Sequence, residues 1–382
     1  MPNVKTFLAS IFLQHFALGL IIPIIVVWQH SYGLSFTEIG FIQGIGFLVI
    51  ILGEIPSSFV ADIFGKKKTL MFGLTILALS FILLIFAYTF FQFLLVEVFQ
   101  KLALAMLSGT EESYFHDLSL GGKKETTKLI GKMSIADETG TIAGMGALSL
   151  VTRIASIQHA FIIGFISVLL SLILVGTIKA QSNECLIDVK RDLRNILRLP
   201  RKILWIITIA LLVSAFLALR GEIVFQASLK QVGLAIGTFG IVYMIAKLFS
   251  VLGSFLAHIM EDAWSTYSVV QIAIVLQVIG FLALLPEIWL SRILGLSLFF
   301  FAENVLRNVR SSFILCNVPS HLKTTALSMV SISTSVVLLF FQPAVGYFTD
   351  QKLVYAVILL ISVKGLAIFL LPRKLINPLG EK

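Results

Sequence analysis

Ser58-Phe59-Val60-Ala61-Asp62-Ile63-Phe64-Gly65-Lys66-Lys67-Lys68 joins the end of one apolar block to the start of the next. The upstream block covers residues 39–61 and the downstream block residues 69–88. Each is close to the roughly 20 apolar residues needed to cross about 30 Å of hydrocarbon. Between them the chain places a carboxylate at a helix end, a glycine able to turn tightly, and a run of cations. Ser58, Asp62, Gly65, Lys66 and Lys67 thus form a breakable latch beside the membrane. The bland alternative is the ordinary enrichment of basic residues in a short inner loop.

The same pattern recurs along all 382 residues, 58% of them hydrophobic and 13% charged. Water-soluble domains carry about 25% charged residues, so this chain lacks the polar surface to cover a soluble globule. The mean hydropathy is +1.00. Period-2 alternation is absent, which excludes a membrane barrel, and backbone groups in lipid must then be satisfied within helices. Twelve spans are predicted, at 7–29, 39–61, 69–88, 91–115, 130–152, 157–178, 203–227, 233–259, 266–285, 288–312, 324–349 and 352–371. The long polar stretch 179–202, with Lys190, Arg191, Arg194, Arg198 and Arg201, separates an N-terminal bundle, 1–178, from a C-terminal bundle, 203–382. The expected fold class is therefore an all-α membrane protein of twelve transmembrane helices in two six-helix bundles.

Charge fixes the expected orientation. With both termini inside, inner segments hold Lys5, Lys66–Lys68, Lys123, Lys124, Lys128, Lys132, the central linker, Arg307, Arg310, Lys323, Arg373 and Lys374. Outer segments hold Arg153, Lys230, Arg292 and Lys352. This asymmetry accounts for the net charge of +9 without any nucleic-acid partner. Trp28, Trp205, Trp264 and Trp289 fall near span ends, where amphipathic rings favour the interface. The first apolar block lacks a small-residue cleavage site and is read as a retained helix. Cys185 and Cys316 fall in inner segments and form no disulfide framework.

Two internal features sharpen the reading. Ser254-Phe255-Leu256-Ala257-His258 ends the eighth span as Ser58 to Asp62 ends the second, the mark of parallel duplication. The run Ser58-x-x-Ala61-Asp62-x-x-Gly65-Lys66-Lys67 resembles the loop between helices two and three of the major facilitator superfamily, with Ser58 for the usual glycine and Ile63 for the usual arginine. Glu54-Ile55-Pro56, Ser108 to Glu112 with Asp117, Asn317-Val318-Pro319 and Thr325 to Ser328 extend the similarity to a bacterial branch of drug or small-molecule exporters. Two further family patterns are partial. In the fourth span Gln100 matches, but Glu97 and Lys101 stand where arginine and glycine are usual. In the fifth, Gly131, Gly140 and Gly144 keep the antiporter spacing, whereas Met145, Leu148 and Ser149 replace the expected proline and glycines. Small residues there serve close helix packing.

An ionisable residue within a span is costly and is a functional hypothesis. Glu54 shares a helix face with Ser58 and Asp62, either as a proton-sensing group or as a partner in a packed interface. Glu97–Lys101 and Glu303–Arg307 are i, i+4 pairs. The resemblance implies that the fourth and tenth helices line a central cavity, where these pairs either bind substrate and exchange protons or neutralise each other. His258 stands where the second half would need an aspartate, so the latch is one-sided. Arg220 and Glu222 form an outer gate or snorkel to headgroups. Lys247 and Lys364 are single mid-span cations, Gln14, His15 and Gln43 are polar groups for a cavity or for helix contacts, and Asp137 and Glu138 fall at an undecided boundary. The histidines lack metal-ligand spacing, and no phosphate-binding glycine loop is present. The resemblance implies a monomeric secondary transporter in a bacterial inner membrane, not an enzyme, with no cofactor. It would exchange protons for small amphipathic compounds, or else import or facilitate passage of a polar metabolite.

Overall fold

The computed structural model describes residues 2–119, 123–178, 219, 221–317 and 323–370. Within them the regular structure is helical: α1 (Pro2–Ile21), α2 (Ile25–Ser31), α3 (Phe36–Phe64), α4 (Lys66–Ile85), α5 (Phe90–Ser119), α6 (Lys123–Ile154), α7 (Ile157–Thr177), α8 (Glu222–Gln231), α9 (Ile236–Ala263), α10 (Thr266–Leu282), α11 (Trp289–Asn317), α12 (Lys323–Gln351) and α13 (Leu353–Leu370). Eight of these are long and apolar enough to cross a membrane, and two shorter apolar helices, Thr266–Leu282 and Leu353–Phe369, accompany them.

Three boundaries differ from the sequence expectation. The first predicted span is broken: Pro23 lacks an N–H and its ring opposes a continuous helix. The chain bridges α1 to α2 with a tight turn in which Ile24 N donates to Ile21 O at 3.0 Å. The second span runs through Asp62 to Phe64 and stops at Gly65, whose φ of +86° only glycine adopts without strain. The fifth begins as far back as Lys123, since its charged first turns continue the helix beyond the apolar stretch. The expected seventh span lies largely outside the described residues, as does the basic linker.

The chain divides into two compact units, Met1–Leu186 with Ala235–Met244, and Ile187–Leu234 with Ile245–Lys382. In the first unit α1 packs on α6 and α7, α4 on α5 and α7, and α3 on α5. The hydroxyls of Ser10 and Ser171 tie α1 to α7 at 2.8 Å. Trp28 lies one turn from the end of α2; it is 8% exposed, and its ring meets Tyr32 and Phe161 edge-on. Trp264 and Trp289 are about half exposed beside helix ends. The start of α9 belongs to this unit, and Ile241 N donates to Ser149 Oγ of α6 at 2.9 Å.

In the second unit α10 packs closely on α11, through Val269, Ala273, Ile274, Ala302, Val305 and Val309. Phe225, Phe281 and Phe299 bring α8, α10 and α11 together, with centroids 5.0–5.5 Å apart. Asn304 Nδ2 donates to Ser250 O at 3.1 Å and also to Ser250 Oγ, joining α11 to α9. Lys364 is fully buried, with Nζ 5.9 Å from the Phe299 ring centroid, so it does not snorkel.

Candidate functional site

The polar centre of the first unit is built on a seam of small residues. A Cβ on Gly140 would collide with the Phe12 carbonyl, one on Gly144 with the Phe16 carbonyl, and one on Gly19 with the Thr141 carbonyl. Helices α1 and α6 therefore touch backbone to backbone. Residues three and four apart share a helix face, so Asp137 lies on the Gly140 and Gly144 side of α6. On α1, His15 stands three residues after Phe12 and four before Gly19. The seam brings His15 Nδ1 to 2.7 Å from Asp137 Oδ1. Thr141 Oγ1 donates to Asp137 O at 2.9 Å and lies 3.4 Å from Asp137 Oδ1.

Behind this pair is Glu111 of α5, 6% exposed. Gln14, 2% exposed and next to His15 on α1, hydrogen-bonds the Glu111 side chain, and His15, Asp137 and Glu112 act on it electrostatically. Glu111 Oε1 is buried with no hydrogen-bond partner among the described residues. Such an orphaned buried acceptor costs about 1–3 kcal/mol, more when charged. The cluster thus has one carboxylate satisfied by an imidazole and another held on one side only. It grades outward, since the His15 and Asp137 side chains are 21% and 42% exposed.

The residues singled out in the sequence are dispersed by comparison. Glu54, Ser58 and Asp62 ride on the last turns of α3, where their side chains lie outside the described set. Lys66 opens α4 after Gly65. Lys67 is the informative member: its Nζ donates to Gly176 O at 2.7 Å and Ile178 O at 2.6 Å. It closes the C-terminus of α7, where free carbonyls and the negative end of the helix dipole favour a cation. Glu97 and Lys101 do approach, Nζ to Oε1 3.5 Å, within the α3–α5 contact. Lys101 Nζ lies 5.2 Å from the Phe47 ring centroid, and a Cβ at Gly46 would come within 2.6 Å of Glu97 Oε1. Glu303 is partly buried and Arg307 exposed on α11. Gly131 has open space where a Cβ would stand. Its two companions do not.

Sequence reasoning did not single out Glu111, Asp137, His15 and Gln14 as one site. One signal was available: Asp137-x-x-Gly140-x-x-x-Gly144 puts the carboxylate on the same face as the two glycines. Nothing in sequence, however, says which helix meets that face. Arg292 was also read only as an outer-loop charge. It is 1% exposed, and its guanidinium donates to Pro286 O at 3.0 Å, to Ser228 O, and to Gln231 Oε1 at 3.3 Å, capping the end of α8.

Residues 7–337 match the family model of the Major Facilitator Superfamily. The chain belongs to this superfamily. Among curated proteins, an uncharacterized MFS-type transporter of Methanocaldococcus jannaschii is 24% identical over 193 residues, 50% of each chain. The chain thus spans about half the length of the curated relative it matches. Among solved structures, a point mutant of the nucleoside transporter NupG has a TM-score of 0.81 at 13% identity, covering 96% of this chain and 98% of that one. A D-xylose-proton symporter has 0.76 at 14%, covering 97% and 98%. An auto-inhibited POT family peptide transporter has 0.78 at 12%, covering 97% and 95%. At such identities these likenesses establish the major facilitator fold expected from the sequence. Membership, with eight helices long and apolar enough to cross a bilayer among the described residues, makes this a multi-pass membrane protein of the superfamily.

Proposed function

We propose that this protein is a proton-coupled secondary transporter that exports small amphipathic compounds by alternating access, with residues 1–178 and 203–382 as its two bundles. The carrying observation is the His15–Asp137 pair backed by Glu111, whose Oε1 is buried and unpartnered among the described residues. A carboxylate without donors in a low-dielectric interior is a place to hold a proton, because the ionised form lacks what would offset its lost hydration. The histidine beside it links that carboxylate to a second one, Asp137, 2.7 Å from its Nδ1. Glu111, Asp137 and His15 thereby join Glu54 and Glu303 as coupling residues. Glu97 and Lys101 instead neutralise each other between α3 and α5. The direction rests on the exporter-like loop around Asp62 and the glycines of α6. On this reading the protein is a monomer in a bacterial inner membrane, both termini cytoplasmic, with the Asp62–Gly65–Lys66–Lys67 latch on the inner face.

The polarity of the cluster supports a second reading, import of a polar metabolite with a proton; a D-xylose-proton symporter is among the fold neighbours. Proteoliposomes holding a pH indicator separate the two. A panel of amphipathic and polar solutes is added under an imposed pH gradient. Exchange makes solute movement and proton movement opposite in direction; symport makes them parallel. Solute flux that ignores the gradient, or proton-linked flux undiminished in Asp137→Asn and Glu111→Gln, would sink the coupling assignment.

A further inference from the structure

The charges of the cluster point to the chemistry of its ligand. Of the groups that act on Glu111 among the described residues, Gln14 is neutral, Asp137 and Glu112 are acidic, and His15 is the one able to be a cation. That cation is already engaged, at 2.7 Å from Asp137. One imidazole therefore acts on both carboxylates, and its Nδ1 is placed against Asp137. The two differ in access: the Asp137 side chain is 42% exposed, whereas Glu111 is 6% exposed with Oε1 orphaned. A ligand arriving from outside the unit meets Asp137 first.

Taking the cluster as the coupling site, we propose that Asp137 receives an N–H-bearing ammonium group of the ligand, and that His15 then moves from Asp137 to the orphaned Oε1 of Glu111, releasing a proton. The steps balance. Before binding, the imidazolium of His15 pairs with the Asp137 carboxylate, and Glu111 carries the proton that its buried oxygens require. After binding, the ligand ammonium pairs with Asp137 and the imidazolium pairs with ionised Glu111. The Glu111 proton passes to water. The site stays neutral in both states, so one cation enters for each proton lost, without a net charge buried in the membrane interior.

The requirement for N–H follows from what the ligand replaces. Asp137 Oδ1 faces a ring nitrogen of His15 and lies 3.4 Å from the Thr141 hydroxyl. A quaternary ammonium brings charge but no donor, leaving a desolvated acceptor unmade. Glu112 on α5 and Glu138, next to Asp137 on α6, are further acidic groups by the cluster, so the proton count is assigned through Glu111 variants.

The test uses the full-length protein in detergent, in weak buffer with a pH indicator, without any gradient. Primary alkyl- and arylalkylamines are titrated calorimetrically beside their N,N,N-trimethyl and N-acetyl analogues. The primary amines are expected to bind with release of about one proton per ligand. The trimethyl analogues should bind about tenfold or more weakly, the factor expected for a lost charged hydrogen bond. Glu111→Gln should abolish the proton release and Asp137→Asn the binding, each in protein that elutes as a single folded species. Equal binding of trimethyl and primary amines, binding without proton release, or no binding across the series overturns the proposal. Because no gradient is present, failure here leaves proton-coupled flux in proteoliposomes standing, and failure of that flux leaves this binding measurable.

Discussion

Replacing Gly144 with alanine tests whether the α1–α6 seam sets the geometry of the polar cluster. The added Cβ meets the Phe16 carbonyl and comes to 3.0 Å from Gly19 Cα, whereas ordinary contacts begin at 3.4 Å. The obstacles are backbone atoms, which have no rotamer through which to retreat. The helices must separate, by on the order of 1 Å if the collision is relieved by translation. Overpacking of this kind costs about 1–3 kcal/mol. The same two helices carry His15 and Asp137, now 2.7 Å apart. A separation of roughly 1 Å stretches that contact beyond hydrogen-bond range, where its strength falls steeply. Gly144→Ala should therefore lower the thermal transition in detergent by several degrees and reduce proton-linked flux together with stability. Gly131→Ala, on the same helix with open space at its Cβ, is the control. It should be neutral or slightly stabilising, since alanine is favoured over glycine in a helix by about 0.5–1 kcal/mol. If Gly144→Ala matches Gly131→Ala in both thermal transition and flux, the seam does not hold the cluster and the reasoning is wrong.

Two further substitutions probe interactions read only from the structure. Lys67→Met removes the donor to Gly176 O and Ile178 O; with the site partly exposed, a loss of about 1 kcal/mol is expected, seen as a modest fall in thermal stability and faster amide exchange at the end of α7. An unchanged α7 exchange profile would show that the lysine does not cap that helix. Gln277 is fully buried, with neither Oε1 nor Nε2 hydrogen-bonded among the described residues. Gln277→Leu should raise stability by about 1–2 kcal/mol, because a similar volume is kept and two unmade hydrogen-bonding groups are removed. A lower transition temperature for that variant would mean the amide has partners that matter.

What the sequence determined alone is what local chemistry dictates. Blocks of apolar residues long enough to cross hydrocarbon, interrupted by short polar joints, permit little besides membrane helices. The Asp62–Gly65–Lys67 loop and the paired halves pointed to the superfamily that the family comparison then established. Gly65 was read as a turn, and its φ of +86° is that of a residue no side chain suits. Proline, too, acts locally. The break after α1 at Pro23 was available to sequence reasoning in principle, although the continuous apolar block hid it.

Tertiary structure decided the partners. Lys67 reads as one of three lysines in a row, and only the arrival of the α7 terminus beside it makes it a cap. Arg292 reads as an outer-loop charge until Ser228 and Gln231 are found under its guanidinium. The cluster is the clearest case: Gln14 and His15, Glu111, and Asp137 stand apart in the chain, on three different helices. Helix periodicity specifies the face on which a side chain stands. Which helix covers that face depends on backbone-to-backbone contacts such as those of Gly140 and Gly144 with α1, and these are properties of two helices at once. A single helix's sequence carries half of such a contact, so the charge pairs legible within one helix, Glu97–Lys101 and Glu303–Arg307, were seen first. The pairing across helices that carries the proposed chemistry emerged only when the helices were packed.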